Sequence, residues 1–147
     1  MRLIGLLACG LVFTANAVAR DDDVVKKELA RLCGDWWEVV DAKVTKSLEH
    51  GKIEVVWFDA KLASFSRDLG GVGSASSGPY KIDPTKTPKA IDITVVLGGT
   101  RKTELYVYEL DGDTLRLHRS YKGDRPTDFV YREGETALFT FKRVPMK

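Results

Sequence analysis

Two histidines and two cysteines are the residues of this chain best suited to metal or nucleophilic chemistry. They are His50, His118, Cys9 and Cys33. A zinc site commonly shows a His-Glu-x-x-His pattern or paired Cys-x-x-Cys ligands, and neither pattern occurs. His50 precedes a glycine and is interpreted as a solvated turn residue, whereas His118 falls in a predicted strand and faces either solvent or a barrel interior. The spacing therefore predicts no metal site.

Glycine and serine are concentrated in residues 70–78, a composition that is also found in phosphate-binding loops. A P-loop needs Lys-Ser or Lys-Thr directly after its last glycine, but Pro79 and Tyr80 follow Gly78 here. A dinucleotide-binding pattern is absent as well, because no third glycine has the required spacing. We interpret residues 70–78 as a flexible connection or lid.

No residue pattern specifies a catalytic reaction. A Gly-x-Ser-x-Gly nucleophile motif is absent around every serine. A pair of carboxylates can support glycoside hydrolysis, but the sequence does not show which of the 21 acidic residues lie close together in space. We therefore predict a protein that is not an enzyme, with no catalytic residue and no cofactor.

Length and charge restrict the class of protein further. The chain has 147 residues, which predicts one domain with one core. Its formal net charge is only +2, and the lysines and arginines are scattered along the sequence. Nucleic-acid-binding surfaces usually carry clustered basic residues, so we predict no nucleic-acid partner.

Residues 1–19 have the composition of an export signal. Arg2 precedes an apolar run from Leu3 to Phe13 that is too short to span a bilayer, and Ala17-Val18-Ala19 fits a signal-peptidase site. We therefore predict a signal peptide over 1–19, a mature domain over 20–147 and no transmembrane segment in the mature chain. The expected location is the periplasm, the cell envelope or the medium.

The two cysteines bear on the same question of export. Leu7-Ala8-Cys9 suggests a lipoprotein acylated at Cys9 as the alternative, although the apolar run before Cys9 is short and continues beyond it. After cleavage Cys33 is the only cysteine, so the mature domain has no internal disulfide. We interpret Cys33 as a small buried hydrophobic residue.

A short amphipathic helix is predicted at the start of the mature chain. Val25, Leu29 and Leu32 recur at helical spacing, and Gly34 is suited to end the helix. Asp21-Asp22-Asp23 is interpreted as an N-cap with favourable charge at the helix start.

From Asp35 the hydrophobic period changes to two, which predicts strands. Leu110-Asp111-Gly112-Asp113-Thr114 predicts a tight hairpin. Short strands with frequent turns indicate an antiparallel sandwich or barrel, and we expect the last strand to return beside the first. Aromatic residues such as Trp36, Tyr106 and Phe141 lie on these strands, and those that face inward would form either a packed core or the lining of an apolar pocket. The predicted strands are 35–41, 52–58, 61–67, 78–83, 91–97, 103–110, 114–119 and 136–143.

Five stretches together resemble a lipocalin-like domain family of unknown function that is common in planctomycetes. They are residues 28–40, 80–93, 108–115, 125–129 and 139–143. The resemblance implies an all-β fold, a small up-and-down calycin-type barrel of about eight strands with a short N-terminal helix. It also implies that Gly34 and Trp36 close one barrel end, with Arg143 packed over the indole of Trp36 in a structural role.

Two functions are compatible with these features. The first is an exported barrel that binds a small apolar or amphipathic ligand, for which the sequence singles out no binding residue. The alternative is a cell-envelope module that binds a protein partner and has no ligand cavity. A ligand cavity would support the first function, and a packed core with an exposed apolar patch would support the second.

Overall fold

A computed structural model of the chain describes residues 15–39, 52–68 and 73–144. Each strand pairs antiparallel with the next along the chain, and the last pairs with the first to close the barrel. The predicted all-β fold, an eight-stranded up-and-down barrel with one N-terminal helix, is therefore confirmed. The elements are α1 (Ala15–Leu32), β1 (Gly34–Glu38), β2 (Lys52–Phe58), β3 (Leu62–Asp68), β4 (Gly73–Asp83), β5 (Lys89–Leu97), β6 (Thr100–Asp111), β7 (Thr114–Ser120) and β8 (Thr136–Arg143).

The barrel has two distinct ends. At the helix end β1 begins and β8 ends, and α1 packs its Leu29 and Leu32 onto the core. At the far end β1 ends, and β5 and β6 are joined through Gly98 and Gly99. Apolar side chains that face the barrel axis form a single buried cluster because residues at alternate strand positions share one face. Its largest fully buried members are Trp36, Phe58, Phe65, Tyr106, Tyr108 and Phe141.

β4 begins five residues earlier than predicted, at Gly73. The interpretation of 70–78 as a flexible connection is therefore wrong for residues 73–78, while residues 70–72 lie outside the described part of the chain. The strand forms because β3 offers seven consecutive pairing partners, from Leu62 to Asp68. Ser76 lies opposite the bulky Phe65, so a small residue at position 76 is compatible with the aromatic core.

The helix also begins earlier than predicted. Asp21 to Asp23 lie inside α1, which starts at Ala15, so they do not form the N-cap of the helix in the full chain. Alanines at positions 15, 17 and 19 favour this extension because alanine has the highest helix propensity. The helix ends at Leu32, two residues before Gly34, as the sequence predicted.

A buried glutamate fixes α1 to the barrel wall. Glu28 accepts hydrogen bonds from Arg31 at 2.8 Å and from Lys89 at 2.5 Å. The Tyr108 hydroxyl donates to the same carboxylate at 3.4 Å, and burial raises the pKa of this phenol. Because three donors surround it, the Glu28 charge is compensated despite its burial.

Gly34, Trp36 and Arg143 lie together at the helix end. The Arg143 guanidinium carbon lies 4.1 Å from the centroid of the Trp36 ring, a cation–π geometry, and its Nη1 donates to the carbonyl of Cys33 at 2.8 Å. Gly34 has a φ of 125°, and a Cβ at this position would lie 2.9 Å from Arg143 Nη1. A side chain at position 34 would thus strain the backbone and displace the guanidinium.

Replacing Arg143 with alanine is expected to lower the free energy of unfolding by about 2 kcal/mol, because the cation–π contact and the hydrogen bonds to the carbonyls of Arg31 and Cys33 are lost together. Arg143→Lys should recover less than half of this loss, since an ammonium lacks the planar donor fork. Urea denaturation followed by tryptophan fluorescence measures both variants. Equal stability of Arg143→Ala and the unsubstituted protein would refute the structural role of Arg143.

Candidate functional site

A group of polar side chains faces into the barrel towards its far end. Glu104 and Tyr106 lie two residues apart on β6 and therefore share a face, and Arg119 on β7 pairs directly with Tyr106. The opposite partner of Glu104 on β5 is Ile93, a core residue, which places the group on the inward face. We call Glu104, Tyr106 and Arg119 the inner polar cluster.

The three side chains of the inner polar cluster are joined through the carboxylate. Arg119 Nη1 donates to Glu104 Oε1 at 2.6 Å, and the Tyr106 hydroxyl donates to Glu104 Oε2 at 2.6 Å. The Glu104 side chain is 8% exposed and that of Arg119 is 17% exposed. Charge-assisted hydrogen bonds of this kind hold the groups in a defined orientation.

One donor of the cluster is left over. Arg119 Nε is buried and has no hydrogen-bond partner among the described residues. A buried N–H without an acceptor is costly, and nearly all such groups in proteins are paired with protein, water or ligand. The arrangement can therefore bind one further hydrogen-bond acceptor inside the barrel.

The inward apolar side chains are almost completely buried in both halves of the barrel. Trp36 and Phe141 fill the half near the helix, and Phe65 lies equally buried in the far half. In the far half, the inward positions opposite Phe65 and Arg119 carry the small residues Ser76 and Ala137. Two small inward side chains thus lie in the same half of the barrel as the inner polar cluster.

His118 lies on the outer face of β7 and not in the barrel interior. It is completely buried, because residues 121–135 fold over the outside of the barrel and place Phe129 in a stacked arrangement on the imidazole, with ring centroids 6.1 Å apart. The imidazole Nδ1 donates to the carbonyl oxygen of Asp128 at 2.6 Å. The sequence-based expectation that His118 faces solvent or the interior is wrong, since a loop buries an outward position.

Arg125 anchors the covering loop to the barrel, and an ion pair within the loop stabilises its conformation. Arg125 donates to the carbonyl of Tyr106 at 2.6 Å and pairs with Asp92 on β5. Arg132 binds the Asp128 carboxylate and lowers the pKa of that group to about 2. Residues 125–129, one of the stretches that carry the family resemblance, thus hold a loop against the outer barrel wall.

Cys33 is half-buried, not fully buried as the sequence suggested, because it follows the last residue of α1 at the barrel rim. Burial is the main cause of a raised pKa for its thiol. A thiol with a raised pKa stays protonated at neutral pH, so this cysteine is poorly suited to nucleophilic catalysis.

An open groove of about 480 Å³ lies at the helix end, outside the barrel. Residues 84–89, residues 108–110 and Phe129 line it. Two of its polar side chains, Lys89 and Tyr108, already bind Glu28.

Within the described ranges, no three His, Cys, Asp or Glu side chains are grouped in a way that suits a metal ion. In the same ranges, no helix combines the length and apolar character that a membrane span requires. His50 lies outside the described residues.

The residues predicted from the sequence and the inner polar cluster occupy opposite ends of the barrel. Gly34, Trp36 and Arg143 meet at the helix end, whereas the cluster lies near the far end. Sequence reasoning missed Glu104, Tyr106 and Arg119. The two-residue spacing of Glu104 and Tyr106 does show that they share one face of a strand. The sequence does not show that this face points inward or that Arg119 lies on the neighbouring strand.

No family model, curated protein or solved structure matches this chain. The resemblance to the lipocalin-like family therefore stays a prediction.

Proposed function

We propose that the protein binds a small, largely apolar molecule in the far half of its barrel. The observation that carries this proposal is the buried Arg119 Nε, an inward-facing donor without an acceptor among the described residues. A barrel that served only as a packed core would be at least as stable with apolar residues in place of both Arg119 and Glu104. A donor kept inside an apolar barrel is typical of a site that orients a ligand through one polar contact.

The surroundings of the cluster agree with an apolar ligand body. Val95 on β5 and Phe65 on β3 belong to the buried core. Phe139 on β8 is partly buried against the same core. Ser76 is only half-buried, so part of the inward surface there is not filled by neighbouring side chains. The ligand would place its apolar part against these residues and its polar group against Arg119.

Two neighbouring serines on β4 provide a direct test. Ser76 faces inward and Ser77 faces outward, so phenylalanine at either site adds the same bulk on opposite sides of the wall. We expect the unsubstituted protein and Ser77→Phe to bind the methyl ester of a dansyl-labelled undecanoic acid equally. Ser76→Phe should bind it at least about tenfold more weakly, because the ring occupies the site.

Dansyl fluorescence titration measures all three proteins, and circular dichroism verifies their folding. Undiminished binding by Ser76→Phe would show that the probe does not enter the barrel. Failure of the unsubstituted protein to bind either this ester or the corresponding acid would refute ligand binding in the barrel.

A second function is favoured by an exposed aromatic patch on the outer wall. Trp37 is 60% exposed and Trp57 is 40% exposed, and the register of β1 and β2 makes them diagonal neighbours on one face. Leu62 and Val39 extend the patch and are also exposed. Exposed tryptophans of this kind are enriched at protein interfaces.

This second function is that of a protein-binding module. Site-specific crosslinking in the native host distinguishes it from ligand binding in the barrel. A photo-reactive residue in place of Trp37 should give a discrete crosslinked partner that the same residue in place of Val96, an exposed position on β5, does not give. Identical crosslinking patterns at both positions would argue against the module.

A further inference from the structure

The inner polar cluster also restricts the charge of the ligand. We infer that the barrel selects an uncharged molecule that carries a carbonyl oxygen, such as an ester, amide or ketone, over the corresponding carboxylic acid. This inference rests on the proposed function and concerns the same site. It follows from the charges that already surround Arg119.

Arg119 Nε is the unused donor of the inner polar cluster in the described part of the chain, but the positive charge of Arg119 is already neutralised. Its guanidinium lies 2.6 Å from a Glu104 oxygen, so the pair has no net charge. Glu38 lies on the same inward face, because it pairs with the core residue Phe141. Lys102, the inward position opposite Val95, is exposed at the rim of the barrel. The inner polar cluster itself therefore has no net positive charge that would favour a second anion.

A carboxylate ligand at Arg119 Nε would share one guanidinium with Glu104. Two negative charges would then lie within several ångströms of each other in a region of low dielectric constant, where their repulsion is only weakly screened. A carbonyl oxygen accepts the same hydrogen bond without adding charge. The site thus favours the neutral acceptor, because it offers no free positive charge to compensate that of an anion.

The test compares dansyl-labelled undecanoic acid with its methyl ester at neutral pH. We expect the unsubstituted protein to bind the ester at least about tenfold more tightly than the acid. Glu104→Gln removes the charge, keeps an amide oxygen as acceptor for Arg119 and turns an amide NH2 to the Tyr106 hydroxyl, which can accept from it. The acid should therefore gain at least about tenfold relative to the ester. Glu109→Gln, an outward substitution on the same strand, should leave the ratio unchanged.

The outcomes separate the two proposals. Acid binding that equals or exceeds ester binding in the unsubstituted protein would overturn the selectivity and leave the ligand site standing. If Glu104→Gln had the same ratio of ester affinity to acid affinity as the unsubstituted protein, the selectivity would likewise be overturned. Failure of both probes to bind the unsubstituted protein would overturn the proposed function, and the selectivity with it. The comparison of acid and ester in the unsubstituted protein is decisive even if Glu104→Gln folds poorly.

Discussion

Alanine at position 78 is expected to destabilise the barrel by about 3–5 kcal/mol, an unusually large effect for the addition of one methyl group. A Cβ on Gly78 would lie 1.6 Å from the carbonyl oxygen of Thr94 and 2.8 Å from its carbonyl carbon. Both atoms belong to the backbone of β5, so no side-chain rotation relieves the overlap. β4 and β5 would therefore have to move apart at this position.

Thermal and urea unfolding of Gly78→Ala measure this effect. Ser77→Ala is the matched control, because Ser77 is the adjacent, exposed residue of the same strand, and we expect its stability to change by less than about 0.5 kcal/mol. A Gly78→Ala protein as stable as Ser77→Ala would mean that β4 does not approach β5 as closely as the structure shows.

Arg119→Ala is expected to cost about 3–5 kcal/mol, because it leaves the Glu104 carboxylate buried without its ionic partner. The double variant Arg119→Met/Glu104→Gln should recover most of this loss, since it removes both charges and keeps similar volumes. The double variant thus distinguishes a buried ion pair from a site that tolerates no substitution.

Urea denaturation of Arg119→Met, Glu104→Gln and the double variant gives the coupling energy between the two residues. Additive effects of the two substitutions would contradict the ion pair. A single Arg119→Ala variant with unchanged stability would show that Glu104 is hydrated, which would also remove the basis for ligand selectivity.

Much of the fold was predictable because the strands follow a strong alternating pattern. β2 and β8 have the predicted bounds, and the Asp111-Gly112 turn joins β6 to β7 as expected. β4 was shortened in the prediction because glycine and serine have low strand propensity. Its pairing with β3 is a tertiary effect that local sequence does not contain.

The inner polar cluster was not predictable for a related reason. Tyr106, Val107 and Tyr108 are consecutive and all buried, so the sequence of β6 does not show which face points inward. The ambiguity arises because residues 121–135 cover the outer face near His118 and make an outward position apolar as well. A long-range contact thereby hides the alternation on which the assignment of faces depends.

Native mass spectrometry of the protein purified from its own host tests the ligand site most directly. We expect the native mass to exceed the denatured mass by that of one small, uncharged molecule, and we expect this excess to be absent from Ser76→Phe and present in Ser77→Phe. A native mass equal to the denatured mass, unchanged after incubation with the dansyl ester, would contradict the presence of a ligand site in the barrel.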